Sequence, residues 1–461
     1  MQPPRLTAYV DAERDRILAT LADWLRIPSI SADPAHAADV VTSAEFCAGL
    51  LREAGLENVA VLPTPGAPSV YGEWLHAPGA PTALVYGHHD VQPVDPLELW
   101  ESPPFEPVFV DGECRARGAV DDKGQTLYEI EAVRALLAAD GALPVNVKFL
   151  VEGEEEVGSP NFERLLQDNA AKFACDVVVV SDTTMVARDV PSVCVGMRGL
   201  VAFDVALRTA EADLHSGVFG GAAPNAAHLA ARLAASLHDA DGRVTIPGFY
   251  DDVLPLSPRE QSSVASLPGD DASWMAMAGI RRTEGEAGYG IHEQVGYRPT
   301  AEVTGISSGY AGPGIKTIVP ATATLKLSFR LVAAQDPSAI AKSVEQWITD
   351  RVPEGVDVVI TPVGGVGPIR TPVDHPGMRA LSRAVEIVWG QAPLLTREGG
   401  SGPEEALARV LDAPCLFLGV GLPDDRFHAP NERLVLEQFW RGLLAAGELW
   451  PALAEELGTD A

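Results

Sequence analysis

Four short runs of apolar, largely β-branched residues constrain the fold of this chain more than any other feature. They lie at residues 83–85, 145–151, 177–180 and 415–420, and only the second run includes polar residues, Asn146 and Lys148. A strand without alternation is buried on both faces, as in a parallel sheet covered by helices. Helical patterns lie between the runs, for example at residues 125–138 and 404–411. We therefore predict an α/β fold with a mostly parallel sheet and helices on both faces.

The N-terminal part of the chain predicts two further helices. Residues 7–25 have apolar side chains at helical spacing, and a second helical pattern covers residues 37–54 before Gly55. Both segments are amphipathic, so each is expected to cover one face of the sheet.

The middle of the chain has a different pattern. Residues 322–331 alternate strictly between apolar and polar, which indicates an antiparallel strand with one buried face. A helix opens at Asp336-Pro337, and strand and helix patterns also cover residues 200–207 and 225–237. We predict an inserted α+β domain of an antiparallel sheet and two helices at residues 199–370. The segments 1–198 and 371–461 then form one discontinuous domain, and residues 245–315 receive no assignment.

Composition excludes some classes of partner. The chain has 64 acidic and 34 basic residues, a net charge of −30, which repels nucleic acid and anionic lipid. Its five cysteines are scattered without a C-x-x-C pair, which is typical of free thiols in a reducing compartment. Residues 1–30 contain acidic side chains that no secretory signal has, and no apolar run is long enough to span a membrane. We expect a cytoplasmic protein.

Polar residues able to bind metal follow each buried run. Ligand sites in α/β sheets lie beyond the carboxyl ends of the strands, so these residues should meet at one edge. Any one segment alone could be a solvated loop, but their combination favours a metal site. The segments contain His88-His89-Asp90, Glu152-Gly-Glu154-Glu155-Glu156, Ser181-Asp182, Phe427-His428 and, in a fifth segment, Asp121-Asp122.

The spacing within the first segment suggests a role for each side chain. In extended backbone, residues i and i+2 share a face and residue i+1 points away. His88 and Asp90 would then share a face, with His89 turned aside. A metal-bound imidazole usually has its second nitrogen held by another group. We interpret His88 as a ligand, Asp90 as its support and His89 as uninvolved.

Two imidazoles with several carboxylates suit zinc or manganese. Two such ions about 3.5–4 Å apart can hold an attacking water and a substrate carbonyl together. Such a centre also needs a proton carrier. One carboxylate of the run 154–156 could take the proton of the water and pass it to the departing amine.

These segments, in their order along nearly the whole chain, resemble the co-catalytic dinuclear metallopeptidases. That family includes carnosinase-type and cysteinylglycine dipeptidases, carboxypeptidase G, succinyl-diaminopimelate desuccinylase and aminoacylase. The matching motifs are His88-x-Asp90, Gly118-x-x-Asp121-Asp122-Lys123-Gly124, Glu152-Gly-x-Glu155-Glu156-x-Gly158-Ser159, Ser181-Asp182 and His428.

The resemblance implies a role for each residue of the metal site. Asp121 would bridge two ions, with His88 and Asp182 completing one site. Glu156 and His428 would complete the other. It further implies that Glu155 is the general base and that Asp90 orients His88. Asp182 is a glutamate in the carboxypeptidase and desuccinylase members, so its presence favours the dipeptidase branch.

The inserted domain also resembles its counterpart in that family. The segment 212–221 is similar to one whose histidine, here His215, reaches the active site of a partner subunit. Thr317 and Arg330 lie in segments similar to substrate-binding ones, with the arginine on the substrate carboxylate, and Ser401 lies in a similar glycine-rich loop. The resemblance implies a homodimer formed through a lid domain and a small peptide substrate.

The predicted function is a metal-dependent dipeptidase that hydrolyses an amide bond with water bridging two ions. The alternative is an N-acyl-amino-acid amidohydrolase using the same centre. A third reading, a catalytically silent metal-binding or dimerisation protein, would be marked by loss of the base or a ligand, and every such position is filled here.

Overall fold

The computed structural model describes residues 4–458. The helices begin and end close to the predicted bounds where the apolar spacing was clear. They are α1 (Pro4–Leu25), α2 (Ala37–Glu53), α3 (Lys123–Asp140), α4 (Phe162–Asp168), α5 (Ala170–Phe173), α6 (Ser216–Phe219), α7 (Ala226–Ala235), α8 (Pro258–Ser266), α9 (Asp271–Ala278), α10 (Ile291–Gly296), α11 (Pro337–Thr349), α12 (Pro376–Trp389), α13 (Glu404–Leu411) and α14 (Leu436–Leu457).

The strands form a large central sheet, a four-stranded sheet and two small ones. They are β1 (Glu57–Leu62), β2 (Ser69–Trp74), β3 (Thr82–His88), β4 (Val108–Val110), β5 (Glu113–Arg115), β6 (Asn146–Glu152), β7 (Val177–Val180), β8 (Ser192–Met197), β9 (Gly199–Arg208), β10 (Leu214–His215), β11 (Thr300–Ser308), β12 (Ile318–Val319), β13 (Thr322–Leu331), β14 (Asp357–Val366), β15 (Ile369–Arg370), β16 (Leu394–Glu398), β17 (Cys415–Phe417) and β18 (Arg433–Val435).

The central sheet has the order β1-β2-β6-β3-β7-β17-β8-β15, with β16 paired to β8. Its middle strands β6, β3, β7 and β17 are parallel, which confirms the predicted α/β class. The neighbouring pairs β1–β2, β2–β6, β17–β8 and β15–β8 are antiparallel. The four apolar runs did not predict these antiparallel pairs at the two sides of the sheet. A short connection, such as the one from β1 to β2, can join only antiparallel neighbours.

Strand β3 shows why its sequence lacks alternation. Ala83 and Val85 contact the hydrophobic core on one side of the sheet, which the helices α1, α2, α3, α12 and α14 cover. Leu84 and Tyr86 contact the core on the other side, where α4, α5 and α13 pack. Both faces of the strand are therefore dry, as the apolar run predicted.

The four-stranded sheet is antiparallel, with the order β11-β13-β9-β14. The inward residues of β13, among them Leu325, Leu327 and Phe329, pack with residues of α7 and α11 in a separate core. The unassigned residues 245–315 contain α8, α9, α10 and the fourth strand, β11. Helices α8 and α10 pack against β16 of the central sheet.

The parallel strands bring their carboxyl ends to one edge of the central sheet. His88 and Glu152 are register partners at the ends of β3 and β6, and Ser181 and Asp182 directly follow β7. None of the helices within residues 4–458 has the length and apolar character needed to cross a membrane.

Candidate metal centre

Two carboxylates contact the imidazole of His88 at the end of β3. The side chain is fully buried, and its Nε2 lies 3.0 Å from Oδ1 of Asp121 and 3.5 Å from Oδ2 of Asp182. Asp121 comes from the loop between β5 and α3, where the Asp121–Asp122 peptide bond is cis. Asp182 follows β7. Three separate segments therefore meet at one nitrogen atom.

The second oxygen of Asp121 contacts a different histidine. Its Oδ2 lies 2.9 Å from Nε2 of His428, and the same nitrogen lies 3.2 Å from Oε2 of Glu156. His428 sits in the loop after β17 with a left-handed backbone (φ 58°), and its side chain is 56 % exposed. The five predicted ligands thus form one connected group, called here the carboxylate–histidine cluster: His88, Asp121, Glu156, Asp182 and His428.

Asp90 contacts both sides of this cluster. Its Oδ1 lies 3.4 Å from Nδ1 of His88, and its backbone oxygen lies 3.1 Å from the same nitrogen. Its Oδ2 accepts a hydrogen bond from the backbone N–H of Glu156 at 3.1 Å. His89 points elsewhere, with Nε2 2.9 Å from the carbonyl of Pro68, and burial lowers its pKa to about 4.

The electrostatics of the cluster show a shortage of positive charge. Burial raises the pKa of Glu155 to about 10 and that of Glu156 to about 7, and neighbouring carboxylates add to both shifts. Hydrogen bonds that His428 donates to the carboxylates of Asp121 and Glu156 raise its pKa to about 10. Burial opposes charge on His88, yet its carboxylate partners hold its pKa well above the ordinary value. The neighbouring carboxylates therefore stabilise the protonated form of both imidazoles.

A divalent cation fits this set of side chains. Nε2 of His88 is buried and has no well-aligned hydrogen-bond partner, although two carboxylates lie next to it. Ligand atoms of His88, Asp121 and Glu156 lie within 4.8 Å of one another. Imidazole nitrogen and carboxylate oxygen are the donors that zinc and manganese accept. A cation would supply the charge that imidazole protons otherwise provide.

A residue that the sequence motifs did not single out holds the Asp121 loop in place. Glu432 is fully buried, and its Oε1 accepts hydrogen bonds from the backbone N–H groups of Val120 and Asp121 at 3.0 and 3.2 Å. Its Oε2 accepts from Gly118 N–H at 3.0 Å and pairs with Arg117 at 2.7 Å. Its position four residues after His428 was the available signal.

Ser401 lies in the same cavity as part of the cluster. The cavity holds about 700 Å³, and its lining includes Glu155, Glu156, His428 and Ser401. Arg330 of β13 donates a hydrogen bond to Oγ of Ser401 at 3.0 Å. Two of the three predicted substrate-binding residues are thus in contact with each other.

His215 and Thr317 lie on a separate, exposed ribbon. Strand β10 pairs with β12, and the N–H of Ser216 donates to the carbonyl of Thr317 at 3.0 Å. His215 is exposed, and its Nδ1 accepts from the N–H of Gly217. Among residues 4–458, no hydrogen bond or ion pair joins His215 or Thr317 to the carboxylate–histidine cluster.

A family of known proteins matches most of this chain. The sequence pattern described as Peptidase family M20/M25/M40 matches residues 84–450, a span that contains every residue of the cluster. The chain belongs to this peptidase family.

Relatives in the M20 family cover almost the full length of the chain. The chain is 30% identical to the Cys-Gly metallodipeptidase dug1 of Schizosaccharomyces pombe over 468 residues, 96% of each protein. It is 29% identical to the human Beta-Ala-His dipeptidase over 446 residues, 92% of this chain and 88% of the relative. Among solved structures, an M20 family metallo-carboxypeptidase of Sulfolobus solfataricus superimposes with a TM-score of 0.83 at 30% identity, covering 95% of this chain and 99% of that one.

Proposed function

We propose that this M20 peptidase is a metal-dependent dipeptidase. The observation that carries the proposal is the position of Asp121, whose two oxygens each contact a different histidine. The relatives named dipeptidases cover at least nine-tenths of the chain, which favours a dipeptide over an N-acyl amino acid as substrate.

The carboxylate–histidine cluster has the donors for two ions. His88 and Asp182 would complete one site and Glu156 and His428 the other, with Asp121 shared. Two divalent ions, zinc or manganese, would supply a water of lowered pKa and polarise the peptide carbonyl. Asp90 keeps the ring of His88 oriented through Nδ1.

Glu155 is the proposed general base. It lies beside Glu156 in the cavity that His428 also lines, next to the candidate metal ligands. It would accept a proton from the attacking water and donate one to the leaving nitrogen as the amide bond breaks. The products are then two free amino acids.

We further propose a homodimer in which His215 of the partner subunit completes the site. Its ribbon is exposed and has no polar contact with the cluster of its own chain, as a residue acting in a partner would require. Its imidazole would stabilise the oxyanion that develops on the substrate carbonyl. Thr317, one residue beyond the pairing of His215 with Ile318, would then also approach the substrate of the partner.

The same proposal includes the domain division and the compartment. Within the described residues, 4–198 and 371–458 would form the catalytic domain, and 199–370 would form the lid and dimerisation domain. Separate hydrophobic cores support this division. All five cysteines are unpaired, which supports a cytoplasmic protein.

Metal replacement combined with a substrate panel tests the proposal. The purified protein is stripped with chelator, reloaded separately with Zn²⁺ or Mn²⁺, and assayed on free dipeptides, tripeptides and N-acyl amino acids. We expect metal-dependent hydrolysis of dipeptides. Preferential hydrolysis of N-acyl amino acids would replace the dipeptidase assignment with deacylase activity, and activity that survives complete metal removal would contradict the mechanism.

A further inference from the structure

Arg198 occupies the point where the chain passes from the central sheet into the four-stranded sheet. It lies between β8 and β9. Its backbone N–H donates to the carbonyl of Glu398 at 3.1 Å, and its own carbonyl accepts from Oγ of Ser401 at 2.5 Å. The backbone of Arg198 is therefore fixed to both ends of the segment 398–401.

The guanidinium of Arg198 lies against this segment. A Cβ atom on Gly399 would come within 2.8 Å of its Nη2, so the group packs directly on that glycine. Its Nε is buried and has no hydrogen-bond partner. Glu302 attracts it weakly, but in the described part of the chain no carboxylate is within ion-pair distance.

Arg330 approaches the same segment from β13. It is half-buried, donates to Ser401, and likewise forms no ion pair with any described carboxylate. Burial, together with the charge of Arg330, lowers the pKa of Arg198 to about 10. Two partly desolvated guanidinium groups thus flank Gly399, Gly400 and Ser401, and their mutual repulsion has no compensating anion.

An anion held between the two arginines would relieve this repulsion. The planar guanidinium fork matches a carboxylate, and hydrogen bonds between charged partners are about twice as strong as neutral ones. Ser401 also lines the cavity that contains Glu155 and Glu156. In a dipeptide the free carboxylate is only two bonds from the nitrogen of the bond to be cleaved, so it would lie close to the carboxylate–histidine cluster.

We propose that Arg198 is a second cation of the carboxylate subsite, acting with Arg330 and Ser401 on the C-terminal carboxylate of the substrate. This inference rests on the proposed dipeptidase function and specifies its selectivity. Two cations beside the site select a free carboxylate on the residue that follows the cleaved bond. A substrate whose C-terminus is an amide lacks that charge and would be rejected.

The experiment compares a dipeptide with its C-terminal amide in the metal-loaded enzyme. Arg198→Gln and Arg198→Lys are measured for kcat and KM on the dipeptide, and the amide is measured as a competitive inhibitor in the same assay. We expect Arg198→Gln to raise KM for the dipeptide roughly 10- to 100-fold, because one charged hydrogen-bonding partner is lost. The inhibition constant of the amide should change less than about threefold.

Arg198→Lys keeps the charge and loses the fork, so its KM should lie between those of Arg198→Gln and the wild type. Arg164→Gln, an exposed helical arginine paired with Asp168, is the control and should match the wild type. If binding of the dipeptide and the amide weakens equally in both Arg198 variants, Arg198 has only a structural role and the inference is wrong. The lysine variant decides the question if Arg198→Gln does not fold. A wild-type protein that cleaves no dipeptide would instead overturn the proposed function.

Discussion

Asp121 contacts Nε2 of His88 through one carboxylate oxygen, at 3.0 Å, and Nε2 of His428 through the other, at 2.9 Å. The two histidines are 340 positions apart in the sequence, and this one carboxylate contacts both of them. Because Asp121 contacts both imidazoles, it determines whether both halves of the carboxylate–histidine cluster can bind metal.

Substitution of Asp121 by Asn should remove both ions together. The amide cannot supply two anionic oxygens, so both candidate sites lose a ligand. We expect metal content measured by elemental analysis to approach zero and dipeptide hydrolysis to fall by several orders of magnitude. The exposed Asp11→Asn is the control and should retain both. Normal metal content in Asp121→Asn would refute a bridging role.

The neighbours Glu155 and Glu156 should respond differently to the same substitution. Glu155→Gln should keep metal and lose roughly 10²–10⁴-fold in kcat, since a general base contributes about that factor. Glu156→Gln should lose metal, because the Glu156 carboxylate lies 3.2 Å from Nε2 of His428 and is one of the candidate ligands. Near-normal turnover in Glu155→Gln would eliminate it as the base.

Mixing two inactive variants tests the role of His215 in the partner subunit. His215→Ala should lose rate while its metal content and its mass in solution stay unchanged. Each mixed dimer of His215→Ala with Glu155→Gln has one site with both groups intact. After exchange of subunits at equal amounts, activity should return to about a quarter of the wild-type value. Absence of recovery in confirmed mixed dimers would place His215 outside the partner site.

Glu432→Gln should loosen the Asp121 loop. The substitution replaces one acceptor oxygen and leaves the buried charge of Arg117 unpaired, which costs about 3–5 kcal/mol of unfolding free energy. Metal affinity should fall about 10- to 100-fold. Glu437→Gln breaks exposed ion pairs on α14 and should cost less than about 1 kcal/mol. Equal losses in the two variants would show that Glu432 does not anchor the loop.

Glu404 should make the folded state less stable as pH rises. Its side chain is 2 % exposed, and burial raises its pKa from 4.5 to about 8. Between these values the unfolded chain releases the proton while the folded chain retains it, so the unfolding free energy falls with increasing pH. Glu404→Gln has no titrating carboxyl group at this position, so it lacks this pH dependence. Denaturant unfolding in the presence of chelator gives the unfolding free energy of both proteins at pH 5 and pH 8. The unfolding free energy of Glu404→Gln minus that of the wild type should be larger at pH 8 than at pH 5. An equal difference at both pH values would contradict a raised pKa of Glu404.

The fold was predictable where burial alone decided the local structure. Apolar residues without alternation identified β3 and β7, and strict alternation in residues 322–331 identified β13 with its bounds. Residues 245–315 gave no pattern because their order comes from distant partners. Glu260 of α8, for example, is buried against Arg370 and Arg397 of the central sheet. An isolated segment cannot reveal such a contact.

The types of residue in the site could likewise be predicted from the sequence, but the contacts between them could not. His88, Glu156 and Asp182 follow buried strands, so their approach to one edge follows from the parallel order of the strands. The position of Glu432 four residues after His428 placed it near the site, but its contact with the backbone of residues 118–121 could not be predicted, because that contact joins segments more than 300 positions apart.

The sequence by itself determined the chemistry available to this protein: imidazoles and carboxylates placed after dry strands, with a carboxylate able to carry protons. Tertiary structure decided which atoms meet, because side-chain distances depend on how the strands pair and how the loops are anchored. It also placed Arg198 and Arg330 beside the same glycine-rich segment, where no carboxylate of residues 4–458 pairs with either. Charge repulsion acts through space, so the effect exists only after the two sheets have packed.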